Sequence, residues 1–428
     1  MRLQKDQLLL SASDLSAHLG CQHRTQLDRR AALGQLKAPP PDPMLAVLQA
    51  RGLAHERAYV EYLESERPIQ KVELANTPLD AEGMEAARRA MASGADVITQ
   101  APLVAGRFRG IADVLLRDDE PSPALGAWSY LVVDTKLASE TRAGTLLQLC
   151  LYTHIVGAIQ GLVPEEFWVV SPGAFENPEK FRTTDYMAFA RRIEQQLTEA
   201  VDGVLPNEPA APEPVNECDI CRWWSRCDKR RREADHLSFV AGISRLQRRE
   251  LERLQLDTLT DLADAVLPLE PAPRRGSAES YERVHHQARV QRDSIGKTPI
   301  VEFLPEPEER DEGPRRLGLA RLPEPVPGDI FLDLEGDPFI GDGGLEYLFG
   351  WVTIEEDGEP VYTGRWALDS AAEIDAVPCV VWSTVLATYS NALAGLGFDS
   401  ANQYLGDLIG VSSGQRTLAG TRILACRE

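Results

Sequence analysis

Two charged side chains, Asp134 and Lys136, interrupt an apolar run and are separated by one residue. If the run 131–136 is a β-strand, both side chains point to the same face of the sheet. A second carboxylate, Asp113, lies in another strand-like run, 110–115. Mg²⁺ and Mn²⁺ prefer such oxygen ligands, and a metal held by them activates water for phosphodiester hydrolysis. An isolated Asp-x-Lys pair is more often a surface ion pair, so this prediction depends on further residues.

Three polar side chains at helical positions are candidates for the same site. His55 lies in a predicted helix over 44–64, although a helical histidine is more often structural than a metal ligand. Gln148 and Tyr152 are four residues apart and therefore share one face of a second predicted helix. Because that helix is otherwise apolar, their polar atoms need partners, either in the backbone or in a catalytic pocket or DNA strand.

The seven cysteines fall into two groups. Three of them, Cys150, Cys379 and Cys426, are isolated in the sequence. The other four combine a C-x2-C-x5-C pattern with one distant residue: Cys21, Cys218, Cys221 and Cys227. Disulfides are not expected in a cytoplasmic chain. Four thiolates are the number that a tetrahedral zinc ion or a [4Fe-4S] cluster requires, and the spacing alone favours zinc.

The motif order G-x-x-H, G-x-x-D, D-x-K and Q-x-x-x-Y resembles the RecB-like PD-(D/E)XK nucleases over about residues 1–235. The resemblance implies a restriction-endonuclease-like α/β fold, with helices flanking a mixed sheet. It also implies that His55, Asp113 and Asp134 bind the metal. The residues that it assigns to catalysis are Asp113, Asp134, Lys136, Gln148 and Tyr152. Ala112 is a departure, because the family's name places a proline before the first aspartate.

The split cysteine pattern is similar to that of iron-sulfur nucleases of the AddB and CRISPR-associated exonuclease type. This resemblance implies a [4Fe-4S] cluster, with zinc as the alternative, at Cys21, Cys218, Cys221 and Cys227. Such a centre would join the first helix to the end of the domain, since metal-binding free energy becomes folding free energy. Trp223 and Trp224 would either stack on single-stranded DNA or pack around the centre.

The elements that would position these residues alternate between strands and helices, which predicts an α/β domain. The predicted strands are 97–104, 108–116, 130–137 and 167–170. The predicted helices are 44–64 and 140–160. A short first helix would be capped by Ser13 or Asp14, and the proline-rich stretch 206–214 is predicted to be extended.

Residues 236–304 are predicted to be a helical region with a turn near Asp257, either a helix-hairpin-helix or a plain linker. Residues 305–327 are rich in proline and charge, which predicts a linker between domains.

Residues 328–428 begin with Asp333 and Glu335 two apart in a strand, which resembles the D-x-E motif of RNase H-like exonucleases. The later acidic and histidine positions of that motif set are missing, and periodicity is lost after about residue 377. We therefore predict a partial RNase H-like segment, truncated or altered near its end, with no activity of its own.

The net charge of −21 disfavours a nucleic-acid partner, because phosphate binding relies on Lys and Arg. Much of this charge is local, since residues 301–375 contain 20 acidic and 5 basic residues. Residues 222–232 are instead rich in arginine and lysine, which predicts a phosphate-facing patch or a solvated helix face. The sequence contains neither a signal-peptide pattern nor a long apolar run, so a soluble, cytoplasmic protein without a membrane partner is expected.

Together these patterns predict a metal-dependent DNA nuclease, an exonuclease directed to single strands or ends, in DNA repair or recombination. One alternative is a non-catalytic nucleic-acid-binding subunit beside a helicase, which would be another chain because no Walker A motif occurs here. A second alternative is a zinc-stapled RNA-processing protein.

Overall fold

The computed structural model divides the 428-residue chain into two compact units, residues 1–304 and 305–428. The residues that it describes are 1–138, 140–302, 329–337, 340, 344–354, 358–369 and 371–372. The predicted linker over 305–327 and the predicted altered tail after residue 377 lie outside the described residues.

The first unit is built on an eight-stranded sheet. Its strands are β1 (Arg2–Gln4), β2 (Gln7–Ser11), β3 (Lys71–Glu73), β4 (Val97–Ala105), β5 (Phe108–Asp118), β6 (Ser129–Thr135), β7 (Glu166–Val170) and β8 (Glu179–Arg182). β5 pairs antiparallel with β4 along one edge, and along its other edge with antiparallel β6 and parallel β2. β7 then joins β6 in parallel, and β8 joins β7 in antiparallel orientation. The sheet is therefore mixed, as the sequence predicted.

Helices cover both faces of this sheet. The helices that precede residue 216 are α1 (Ala12–Gly20), α2 (Gln22–Ala32), α3 (Pro43–Glu66), α4 (Ala81–Ala92), α5 (Ala143–Gln160) and α6 (Thr183–Asp202). The larger core lies against α1, α4, α5 and α6, and α5 contributes buried residues around most of its circumference. A smaller core places Tyr59 and Val60 of α3 against Val114 and Val133 of the sheet. The predicted α/β class is confirmed.

The start of α1 differs from the sequence prediction. Ser11, and neither Ser13 nor Asp14, is the residue at the N-cap. Asp14 instead accepts a hydrogen bond from the backbone N–H of Ser11 at 2.8 Å, which satisfies a donor at the helix start. The prediction was wrong because the preceding strand β2 runs directly into the helix, with no loop between them.

In the described residues that follow, the helices of this unit are α7 (Trp224–Glu233), α8 (Arg245–Arg253), α9 (Leu259–Asp264) and α10 (Ala278–Ser294). The last three form a separate small core around Leu251, Leu262 and Tyr281. The turn between α8 and α9 contains Asp257, where the sequence predicted one. A helix-hairpin-helix function for this region stays a prediction.

The described part of the second unit contains a three-stranded antiparallel sheet. Its strands are β9 (Ile330–Asp337), β10 (Leu345–Ile354) and β11 (Pro360–Trp366), with β10 in the middle. Asp333 and Glu335 lie on β9, and both are exposed. The RNase H-like assignment stays a prediction.

Among the described helices, none combines the length and the apolar character needed to cross a lipid bilayer.

Candidate active site

Asp134 is the buried centre of a polar cluster between the sheet and α5. It lies near the end of β6 with 1% of its surface exposed. The Lys136 Nζ is 2.6 Å from its Oδ2, and the Gln148 amide donates to its Oδ1 at 2.9 Å. The strand thus brings Asp134 and Lys136 together as the D-x-K spacing predicted, and α5 supplies Gln148.

Asp113 reaches the same cluster from β5. The antiparallel register pairs Val114 with Val133, which brings Asp113 next to Asp134. The Asp113 Oδ2 accepts hydrogen bonds from the backbone N–H of Thr135 at 3.0 Å and from its hydroxyl at 3.1 Å. Sheet pairing and these two bonds fix the second carboxylate.

Glu56, which the sequence analysis missed, is a third carboxylate at this site. It is 8% exposed on α3, and the Gln100 amide approaches its two oxygens at 2.8 and 2.7 Å. The pKa of Glu56 is raised to about 7: burial is the largest cause and the charge of Asp113 adds to it, while Gln100 and Lys136 oppose the shift. Helical spacing could have indicated that Glu56 is buried. It lies three and four positions before Tyr59 and Val60, which are buried on the same face of α3.

The charges of this cluster suit a hard divalent cation. Three carboxylates surround one ammonium group in a site that excludes much of the solvent. Burial raises the pKa of Asp134, and Asp113 adds to the shift. Burial alone would lower the pKa of Lys136, but the carboxylates of Asp134 and Asp113 outweigh it and raise that pKa. The Asp134 Oδ2 is buried and, apart from its ion pair with Lys136, has no hydrogen-bond partner among the described residues. A cation would relieve this excess of negative charge.

His55 lies one residue before Glu56 on α3. Its Nε2 is 3.1 Å from the carbonyl oxygen of Val170, so this nitrogen donates and Nδ1 is left as the atom that can bind a metal. Its ring also packs against Phe175, with 5.4 Å between ring centroids. The metal-binding role of His55 stays a prediction.

Tyr152 supports the strand that carries Asp113. It is 5% exposed, and its hydroxyl bonds to the backbone of Ile111. Burial raises its pKa, and the charges of the neighbouring carboxylates add to the shift. A Cβ at Gly110 would overlap the Tyr152 ring and hydroxyl. The glycine of G-x-x-D and the tyrosine of Q-x-x-x-Y are therefore packing partners.

Residues 11–228 match the family model of the PD-(D/E)XK nuclease superfamily. The chain belongs to this superfamily. No curated protein matches it. The superfamily assignment implies nuclease activity, and PD-(D/E)XK nucleases typically use Mg²⁺ or Mn²⁺. The matched range contains the polar cluster and all four cysteines of the predicted centre.

The four cysteines of this PD-(D/E)XK domain line one pocket: Cys21, Cys218, Cys221 and Cys227. The first stands between α1 and α2, two lie in or beside the 3-10 turn Asn216–Ile220, and the last is on α7. Backbone N–H groups donate to two of the sulfurs, from Arg24 to Cys21 and from Val215 to Cys218, each at 3.4 Å. The fold thus assembles the predicted set of thiols.

The thiol pocket is charged and partly buried. Burial raises the pKa of the Cys227 thiol to about 11, and it also raises the pKa values of Cys21 and Cys221. The neighbouring thiols add to all three shifts. Among the described residues, no three cysteine sulfurs lie within 4.8 Å of one another. Around one tetrahedral zinc ion the sulfurs would be about 3.8 Å apart, given a Zn–S bond of about 2.3 Å. The four sulfurs are therefore not all at the spacing of ligands around one bound zinc ion.

The basic stretch 222–232 is largely neutralised. Its closest ion pairs join Arg222 to Asp28 at 2.5 Å, Arg226 to Glu208 at 2.7 Å, Arg230 to Glu208 at 3.1 Å and Arg232 to Asp228 at 2.8 Å. Trp223 is 1% exposed, and its indole N–H donates to Asp28 at 2.7 Å. Stacking of Trp223 on DNA is therefore wrong and the packing alternative holds, whereas Trp224 is 45% exposed.

In the described part of the chain, one set of three side chains brings its potential ligand atoms within 4.8 Å of one another: Glu213, His236 and Glu252. Arg248 already donates to Glu213 at 2.6 Å, and the backbone N–H of Ser238 donates to the Nδ1 of His236 at 3.1 Å. These contacts supply Glu213 with a cation from the protein, so we assign no metal here.

Proposed function

We propose that this chain is a Mg²⁺- or Mn²⁺-dependent DNA nuclease of the RecB-like branch. It would act as an exonuclease on single strands or ends, in DNA repair or recombination. The observation that carries the proposal is the cluster of Asp113, the buried Asp134 and Lys136, whose Nζ is 2.6 Å from Asp134. A purely structural role does not require a second carboxylate and an ammonium group around a buried carboxylate, because burying a charge is costly.

In the proposed mechanism, Asp113 and Asp134 hold the metal, and His55 would add a nitrogen ligand through Nδ1. When bound, the metal would lower the pKa of a water molecule and neutralise charge that develops on the phosphate. Lys136 orients the water or a phosphate oxygen with its ammonium protons. Gln148 fixes the Asp134 carboxylate through the 2.9 Å hydrogen bond, and Tyr152 keeps the Asp113 strand in place.

The first half of α3 supports a preference for unpaired DNA. Met44, Leu45, Val47 and Leu53 are exposed on it, and the same helix continues to His55. Unstacked bases present apolar faces that duplex DNA hides, and apolar side chains can cover them. This surface lies on the helix that also carries Glu56 into the catalytic cluster.

We also propose that the thiol pocket holds a [4Fe-4S] cluster, with zinc as the alternative, on Cys21, Cys218, Cys221 and Cys227. The split cysteine pattern, with one distant cysteine before C-x2-C-x5-C, supports the cluster. Its role would be structural, because it would link the α1–α2 junction to a segment almost 200 residues later. Trp223 and Leu27, which pack beside Cys227, supply an apolar wall.

The experiment is cleavage of end-labelled single- and double-stranded DNA with Mg²⁺ or Mn²⁺. Asp134→Ala and Lys136→Ala should abolish cleavage, whereas Asp118→Ala, at an exposed carboxylate on β5, should leave it unchanged. A ladder of products from one labelled end would show whether the protein degrades DNA from the 3′ or the 5′ end. Absence of cleavage by metal-loaded wild-type protein on every substrate would instead favour a non-catalytic subunit beside a helicase. Cleavage of RNA alone would favour the RNA-processing alternative.

A further inference from the structure

Arg231 is a buried cation beside the thiol pocket. It lies on α7, is 2% exposed and lines the same pocket as the four cysteines. Its guanidinium packs over the Trp224 ring, with 4.8 Å between its central carbon and the ring centroid. Its Nη1 is buried and has no hydrogen-bond partner among the described residues.

The carboxylate nearest to Arg231 does not balance its charge well. Asp228 is 3.9 Å from the guanidinium of Arg231, and Arg232 holds the same carboxylate at 2.8 Å. A buried charge without a close partner destabilises the folded protein. The fold retains this arginine all the same, which indicates that another anion belongs beside it.

Arg24 provides an internal contrast. This second arginine lines the same pocket but is paired with Glu217 at 2.5 Å and with Asp28 at 3.7 Å. Of the acidic residues that line the pocket, Glu217 is thus paired with Arg24, and Glu213 is paired with Arg248 at 2.6 Å. The pocket therefore contains one guanidinium in excess, that of Arg231.

We propose that Arg231 is the counter-ion of an anionic metal–thiolate centre at the four cysteines. The inference rests on the metal centre proposed above. Four thiolates outweigh the charge of a zinc ion or of an oxidised [4Fe-4S] core, so either centre carries net negative charge. Arg231 offsets that charge inside the protein, where water cannot, and its unpartnered Nη1 offers an N–H donor to a sulfur atom.

A structural role and a counter-ion role predict different effects of Arg231→Met, which keeps much of the side-chain volume but removes the charge. In metal-free protein, the substitution removes an unbalanced buried cation, so the melting temperature should stay the same or rise. In metal-loaded protein it removes the counter-ion, so metal retention should fall. A role limited to packing on Trp224 would lower the melting temperature of both forms.

The test compares wild type, Arg231→Met, Arg231→Lys and the matched control Lys229→Met, which removes an exposed cation from the same helix. Each protein is purified anaerobically, and iron and zinc per chain, visible absorbance and the rate of metal loss to a chelator are measured. We expect Arg231→Met to lose metal on the order of tenfold to a hundredfold faster, Arg231→Lys to be intermediate and Lys229→Met to match wild type.

Two results would overturn the inference, and they are distinguishable. If wild type holds neither iron nor zinc after anaerobic reconstitution, the proposed centre fails and the inference with it. If wild type holds metal and Arg231→Met retains it equally well, only the counter-ion role fails. Should Arg231→Met not fold, the comparison of Arg231→Lys with Lys229→Met still decides, since a lysine at position 231 keeps the charge but loses the planar donors.

Discussion

The oxygen-lined cluster at Asp113 and Asp134 and the sulfur-lined pocket at the cysteines are two polar sites of one domain, built in opposite ways. Adjacent strands and direct hydrogen bonds hold the carboxylates, so their positions follow from sheet register. The sulfurs stand at a helix junction, in or beside a short turn and on α7, and they come from distant parts of the chain. The first site is preorganised for chemistry, whereas the second would depend more on the proposed metal centre. Loss of metal should therefore cost activity at one site and stability at the other.

Asp134→Asn should have the largest effect. Removing the charge that faces Lys136 should slow cleavage on the order of 1000-fold, or about 4 kcal/mol of transition-state stabilisation. The melting temperature should not fall, because the change also removes a buried charge. Single-turnover cleavage and thermal melting measure the two quantities, and iron and zinc content should equal that of wild type. A parallel loss of iron or zinc would show that the two sites are not independent.

Cys218→Ala should produce the converse pattern. Loss of one ligand should release the metal and lower stability by about 3 kcal/mol, or roughly 6 °C or more for a domain of this size. Metal analysis and thermal melting check this. Cys150→Ala is the matched control, since Cys150 is also buried but lies in the main core. Equal metal content in both variants would contradict the proposed ligand set.

Gly110→Ala tests whether sheet packing sets the geometry of the oxygen-lined cluster. The new methyl group would overlap Tyr152, so we expect about 1–3 kcal/mol of destabilisation and a loss of cleavage. The double variant Gly110→Ala/Tyr152→Leu should regain part of the stability by making room. If Gly110→Ala is as stable and active as wild type, the packing of Tyr152 does not control the site.

Acidification should affect the stability contributions of the two regions in opposite directions. The folded-state pKa of Glu56 is raised to about 7, so its contribution to metal-free stability is present below about 4.5 and is lost as pH rises through 7. The hydrogen bond from Arg226 lowers the pKa of Glu208, so its contribution is present above about 4.5 and is lost at lower pH.

Chemical denaturation of the metal-free protein from pH 4 to 8 would measure these contributions. Glu56→Gln should reduce the decline in the free energy of unfolding toward pH 8 by at most about 3 kcal/mol. Glu208→Gln should reduce the decline in the free energy of unfolding toward pH 4 by about 1 kcal/mol. A stability curve for Glu56→Gln that is parallel to that of wild type would show that this carboxylate is not coupled to folding.

The sequence predicted what depends on short-range periodicity. The two-residue period of β6 brings Asp134 and Lys136 together, and the four-residue spacing on α5 directs Gln148 to the same cluster. The predicted strands and both long helices agree with the observed ends to within three residues. Partners in these motifs are neighbours in sequence, so local geometry suffices.

The sequence could not predict features that depend on packing between distant parts of the chain. The predicted helix 44–64 did not show which of its residues are buried: Met44, Leu45 and Leu53 are exposed, whereas the charged Glu56 is buried. The arginines after Cys221 resemble a phosphate-binding patch until the fold supplies acidic partners such as Asp28, which is almost 200 residues away in sequence. No local pattern contains that information.

The distance along the chain between the cysteines also has a consequence for biosynthesis. Cys218 follows Cys21 by 197 residues. At translation rates of roughly 5–20 residues per second, it leaves the ribosome on the order of 10–40 s later. Throughout that interval Cys21 is a thiol without its partners, so a centre on these four cysteines can be loaded only after the whole nuclease domain has been made. Metal insertion would then act as a completion signal, and a chain interrupted before residue 218 would never receive it.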